Sequence, residues 1–215
     1  GIVQAYFSKY YHDAYIIEVN CQTDFAARST EFKNLCWNVL LNFVDGKQDE
    51  NQKLIDSCEK IIKEKIVLRR NCCVLLKPGE KGTSWYYNHA NGKLSSIVKL
   101  IFENIDNEKM YHLADQLCMQ IAASNPKYVS RDQISQNEID KMKILFETQL
   151  RDDPKPKPEQ SWPKIIDGKL NKWFSEICLL EQESIFNNKE KVKDMLKNYQ
   201  DVIVGSFIRY ELGGE

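Results

Sequence analysis

Few residues in this sequence have the types and spacing that chemistry needs. Gly92-Lys93-Leu94-Ser95 resembles the end of a phosphate-binding loop. Such a loop needs a glycine five residues before Gly92 and a hydroxyl directly after the lysine, and Tyr87 and Leu94 stand at those places. The three histidines, His12, His89 and His112, lie far apart with no ligand-type residue at metal spacing beside them. The cysteines at 21, 36, 58, 72, 73, 118 and 178 include no Cys-x-x-Cys pair. Asp24 has no partner for acid–base work, and no nucleophile elbow occurs. Arg69-Arg70 suits either a phosphate or a salt-bridged strand end. What stands out is Phe25, a large aromatic beside an acid in Asn20-Cys21-Gln22-Thr23-Asp24-Phe25, where small polar residues usually sit. That ring is either a core anchor folded back on its own chain or a tool aimed at a partner.

The elements that must position it are legible. Residues 14–20 are rich in β-formers and predict a strand, with Tyr15, Ile17 and Val19 on one face and Ile16 and Glu18 on the other. Residues 2–10 pair with it as a hairpin around Tyr11-His12-Asp13. Ser29 or Thr30 caps a helix to Asp45, whose stripe is Phe32, Leu35, Cys36, Val39, Leu40 and Phe43, closed by Gly46. A second helix over 49–65 turns Leu54, Ile55, Cys58, Ile61 and Ile62 inward. Pro78-Gly79 and Asn91-Gly92 divide 66–103 into three strands, expected to pair with one another.

Further on, 109–124 is helical with Leu113, Leu117, Ile121 and Met110 on its apolar side, and Asn125-Pro126 ends it. Helices over 135–151 and from Trp162 to about Leu180 flank a proline-rich stretch, 152–163, which suits a stiff hairpin apex. A helix over 192–199 and a strand over 202–211 complete the chain. The fold class expected is α+β: two α+β subdomains with antiparallel sheets and an inserted, coiled-coil-like helical hairpin. The divisions expected are 1–104 for the first subdomain, 105–150 with 186–215 for the second, and 151–185 for the hairpin tip and second helix.

Bulk properties limit the function classes. The chain has 215 residues, 42% hydrophobic and 28% charged, enough for one large core or two small ones. A net charge of -1 gives no general attraction to nucleic acid or an anionic membrane. An odd count of seven cysteines, several on apolar faces, fits core thiols in a reducing compartment. No apolar run approaches the roughly 18 residues that cross a membrane as a helix.

Residues 18–28, Glu-Val-Asn-Cys-Gln-Thr-Asp-Phe-Ala-Ala-Arg, resemble the signature of the elongation factor Ts family, which has valine where this chain has Ala26. Further matches follow in order: Ile66-Val67-Leu68-Arg69-Arg70, His89 with Gly92-Lys93-Leu94, Ile121-Ala122-Ala123-Ser124 with Pro126, Asp167-Gly168-Lys169-Leu170, Cys178-Leu179-Leu180-Glu181-Gln182, and Phe207-Ile208-Arg209-Tyr210-Glu211 with Gly213. The resemblance implies a guanine nucleotide exchange factor for the translational GTPase EF-Tu, with no covalent chemistry and no cofactor. The partner implied is EF-Tu, GDP-bound or nucleotide-free, with no direct nucleic-acid or membrane partner. Its contact residues would be Thr23, Asp24, Phe25 and Ala26 at the corner, Leu94 and Ser95 where the family has Ile-Gly, and Gln120 where it has histidine. The family begins with a small helical domain, and this chain is expected to be the core region without it. A scaffold or chaperone of the same fold, binding EF-Tu without exchange, is the alternative. Bacterial cytoplasm, mitochondrion and plastid all fit.

Overall fold

The computed structural model describes residues 1–10, 12–103, 107–155, 157–187, 189–199 and 201–214. Tyr11 of the expected hairpin turn, Asn104 and Ile105 at the expected subdomain boundary, and Pro156 of the expected apex lie outside them. Two compact units are present, residues 1–123 with 201–215, and residues 124–200.

The first unit opens with strands β1 (Ile2–Ser8) and β2 (Asp13–Asn20), then a short helix α1 (Asp24–Arg28) and helix α2 (Thr30–Val44). Helix α3 (Asn51–Ile62) leads into β3 (Val67–Val74), β4 (Gly82–Asn88) and β5 (Leu94–Ile101), followed by helix α4 (Asn107–Ser124). Helices α5 (Gln136–Arg151), α6 (Trp162–Ile177) and α7 (Val192–Leu196) belong to the second unit, and strand β6 (Ile203–Glu211) returns to the first.

Two antiparallel three-stranded sheets, in the orders β1-β2-β3 and β4-β5-β6, with the helices give an α+β fold. β2 is buried on both faces, which explains its near-continuous apolar run. Tyr15, Ile17 and Val19 face Phe32, Leu35, Cys36, Val39 and Leu40 of α2, and Ile55 and Cys58 of α3. Phe32, Leu40 and Ile17 are fully buried, each contributing about 2 kcal/mol by removal from water. Ala14 and Ile16, on the other face, meet Val3, Ala5, Val74 and Ile97, so the two sheets pack face to face. Helix α4 lies on the far side of the second sheet, where Ser96 Oγ donates to the Cys118 carbonyl at 2.7 Å. Arg209 Nε likewise donates to the Ala122 carbonyl at 3.0 Å.

Glu18 shares the sheet–sheet face, fully buried. Arg69 and Arg70 donate to its carboxylate at 2.9 and 2.6 Å, so this arginine pair is a salt-bridged strand end. Burial alone would raise its pKa. The Gly213 amide and the two guanidiniums outweigh that and hold the carboxyl below its ordinary value.

Local signals failed in two places. β4 and β5 pair with each other as expected, but β3 pairs with β2 and β5 takes β6 as its other neighbour, so 66–103 does not form one sheet. The sheets therefore part between β3 and β4, and the compact units part at 123/124 and 200/201. Ile61, expected inside, is 65% exposed, because α3 turns Asn51, Ile55 and Cys58 inward, positions three or four apart. Its helix also ends early, at Ile62, where Lys63 takes a left-handed conformation (φ 63°).

In the second unit α5 and α6 pack through Leu150, Ile166, Leu170 and Phe174, with Met142, Phe146 and Trp162 around them. Arg131 pairs with Glu181 at 3.0 Å and lies over the Phe174 ring, 4.4 Å from its centroid. No helix among the described residues is long and apolar enough to cross a membrane.

Candidate functional site

Between β2 and α2 the chain turns through residues 21–29, and side chains fix almost every step of that turn. Thr23 is the N-cap of α1: extended at φ -121°, ψ 157°, its Oγ1 accepts from the Ala26 amide at 3.2 Å. Asp24 follows in the first turn, where a negative charge complements the free N–H groups. Helix α1 is stopped at once by Ser29, whose amide and hydroxyl both donate to the Ala26 carbonyl, at 3.0 and 2.8 Å. The same Ser29 Oγ then accepts from the Phe32 amide and starts α2. Ser29 thus ends one helix and begins the next.

This geometry divides α1 by side. Ala26 and Ala27 face inward, buried, and their small side chains let the helix lie close to the core. Phe25 points the other way and is 88% exposed. The core anchor is excluded. An aromatic ring held in water on a doubly capped corner is an unsatisfied surface, and large exposed aromatics on rigid supports are what interface anchors look like.

A carboxylate from elsewhere in the chain braces the corner. Glu64 Oε2 accepts from the Gln22 and Thr23 amides at 3.1 and 3.0 Å, and Oε1 from the Thr23 hydroxyl at 2.5 Å. The Thr23 hydroxyl bond, with help from the two amides, holds the Glu64 carboxyl below its ordinary pKa. Sequence reasoning missed Glu64, since nothing in Lys63-Glu64-Lys65 marks it and its partners lie 41 and 42 residues earlier.

Beside the corner an open cleft of about 510 Å³ is lined by Asp24, Ala27, Arg28 and Lys33 on one side and by Asn91, Gly92 and Lys93 on the other. The β4–β5 turn is brought there by β1: the Val3 amide donates to the Gly92 carbonyl at 2.8 Å. Asn88 adds a second tie, its amide bonding both the N–H and the C=O of Ala5, at 2.7 and 2.9 Å. A side chain here substitutes for a neighbouring strand at the edge of the first sheet. One carboxylate, from Asp24, and three cations, from Arg28, Lys33 and Lys93, therefore line this cleft.

The expected contact residues fall into two groups. Thr23, Asp24 and Phe25 are exposed, and Leu94 is half-buried at the start of β5. Ser95 and Gln120 are buried in this chain, as is Ala26. Ser95 Oγ donates to the Asn88 side chain at 2.7 Å and reaches the Val3 carbonyl at 3.3 Å. β5 is covered on both faces, Ser95 meeting β1 and Ser96 meeting α4, and Leu94 is half-buried as its first residue. Gln120 lies on the inner face of α4 beside Leu117 and Ile121. Ala26 supports the corner from beneath.

Among the described residues no three His, Cys, Asp or Glu side chains group as metal ligands. The seven cysteines are unpaired thiols.

The family model described as Elongation factor TS matches residues 22–214. Curated relatives named Elongation factor Ts include one from Clostridium acetobutylicum, 29% identical, with the match covering 99% of this chain and 74% of the relative. One from Chlorobium phaeobacteroides (strain BS1) is 34% identical over 92% of this chain and 74% of the relative. Another, from Clostridium botulinum (strain 657), is 30% identical over 99% and 74%. The family match takes in Thr23 to Ser29 of the capped corner and the closing strand alike, and this chain belongs to the elongation factor Ts family.

Proposed function

We propose that this protein is a guanine nucleotide exchange factor for the translational GTPase EF-Tu, and that the corner carrying Asp24 and Phe25 is the part that acts. The observation that carries this reading is the Phe25 ring, 88% exposed on a corner fixed by Thr23, Ser29 and Glu64. The corner inserts against the nucleotide-binding domain of the GTPase, near its phosphate and magnesium site. Phe25 supplies desolvated wedge area, and Asp24 repositions polar groups of the partner. Thr23 and Leu94 border the contact, and Ala26 fixes the wedge from below.

The device is thermodynamic. A protein that binds the GTPase in a conformation unfavourable to nucleotide and Mg²⁺ lowers their affinity, and they lower its affinity by the same factor. No bond is made or broken on this chain. Such a factor works where bacterial-type translation runs, inside a reducing compartment. The test is release of labelled GDP from EF-Tu with and without the protein at catalytic concentration. Accelerated release supports the reading. Stable binding without acceleration would identify a scaffold instead.

A further inference from the structure

The clamp on the corner has more built into it than an incidental surface contact. Lys63 ends α3 in a left-handed conformation, its amide donating to the Glu59 carbonyl at 2.8 Å. Two residues past Glu64, the Ile66 amide donates to the Glu59 side chain at 2.7 Å, and Ile66 itself is buried. The link 63–66 is thus pinned at both ends by one residue, which leaves the Glu64 carboxylate aimed at the corner. That carboxylate takes three hydrogen bonds from two consecutive residues, Gln22 and Thr23. Both are exposed, so water competes for the same groups and the clamp adds little to global stability. What it does fix is the backbone of the two residues that lead into Asp24 and Phe25. The same Thr23 hydroxyl that donates to Glu64 caps α1, so the clamp and the helix bearing the ring share an atom.

From this geometry we propose that Glu64 is a positioning residue for nucleotide exchange, holding Gln22 and Thr23 so that the Phe25 wedge is presented in its productive orientation before the partner arrives. The proposal rests on the exchange reading above. Ordering the corner in advance removes an ordering cost from the encounter, which is how preorganisation raises the efficiency of binding.

The test compares GDP release from EF-Tu with the unmodified protein, Glu64→Ala, Glu64→Gln, Phe25→Ala and the double variant Glu64→Ala/Phe25→Ala, with a thermal melt of each. Glu64→Ala melts like the parent and loses about tenfold in exchange efficiency, the scale of one charge-assisted hydrogen bond. Glu64→Gln, which keeps the shape and one acceptor oxygen, falls between the two. In the Phe25→Ala background, Glu64→Ala costs less than about twofold, because residues acting through one another are not additive. Full activity of Glu64→Ala alongside a slow Phe25→Ala overturns the proposal and leaves the exchange reading standing. Losses that multiply in the double variant also overturn it, by placing Glu64 outside the Phe25 pathway. No acceleration by the unmodified protein overturns the exchange reading itself. If Glu64→Ala does not fold, the isosteric Glu64→Gln carries the same comparison.

Discussion

The Gly213 amide donates to Glu18 Oε1 at 3.0 Å, across 195 residues of sequence. Gly213 has a positive φ of 76°, a conformation that costs glycine little and that turns its N–H inward. With Arg69 and Arg70 it closes a cluster around the buried Glu18 carboxylate that ties the end of β6 to β2 and β3. Arg70 also donates to the Glu211 carbonyl and lies over the Tyr210 ring, 4.1 Å from its centroid.

Glu18→Ala is expected to destabilise the fold by about 3 kcal/mol, since it leaves two arginines facing a buried site without their acid. The pH dependence has a definite sign. The Glu18 carboxyl sits below its ordinary value in the folded state, so its stabilisation is full above the unfolded value of about 4.3 and is lost as pH falls through the lower folded value. The difference in stability between the parent and Glu18→Gln should therefore shrink as the medium is acidified. Denaturant melts over an acid series check both points. A pH-independent difference contradicts the assignment.

Asn88→Ala removes the side-chain bridge to Ala5, whose backbone is buried at the edge of the first sheet. Leaving those groups unpaired should cost about 1–2 kcal/mol. Ser95 loses its Asn88 partner in the same variant, so Asn88→Ala and Ser95→Ala are expected to be non-additive. A double-mutant cycle by chemical denaturation measures this directly, and additive losses would show that the two side chains do not act as one bridge.

The thiols should fall into two reactivity classes. Burial pushes Cys36 up to about 12 and Cys178 to about 11, and raises Cys58 and Cys118, so little of the nucleophilic thiolate forms at neutral pH. Those four thiols should resist labelling while the fold holds. Cys21, half-exposed beside the corner, should react early. All seven should titrate in denaturant. Prompt labelling of any of the four in native buffer would mean that the core opens far more often than its packing implies.

The elements were legible where burial imposes a period on the chain. β2 shows its two faces because Tyr15, Ile17 and Val19 meet helices while Ala14 and Ile16 meet the other sheet, so both sets had to be apolar. The α2 stripe was legible for the same reason. The β1–β2 and β4–β5 pairings were legible from their turns, but the partner of β3 was not, because none of its residues states which edge it will join. Pairing is decided by long-range burial, and β6 arrives from the far end of the chain. At the candidate site, Phe25 could be found because it violates the local rule for corners. Glu64 and Asn88 could not, since a side chain that replaces a backbone partner across 41 or 83 residues leaves no local pattern. Ser95 and Gln120 were placed by resemblance alone, and their burial had no local signal that distinguished it.

The most direct test of the account is Phe25→Ala, assayed by thermal melt and by GDP release from EF-Tu in parallel. Removing a ring that is 88% exposed should change folding stability by no more than about 0.5 kcal/mol. Exchange efficiency should fall five- to a hundred-fold, about 1–3 kcal/mol for a central interface aromatic. An intact melt with unimpaired exchange would remove this corner from the mechanism.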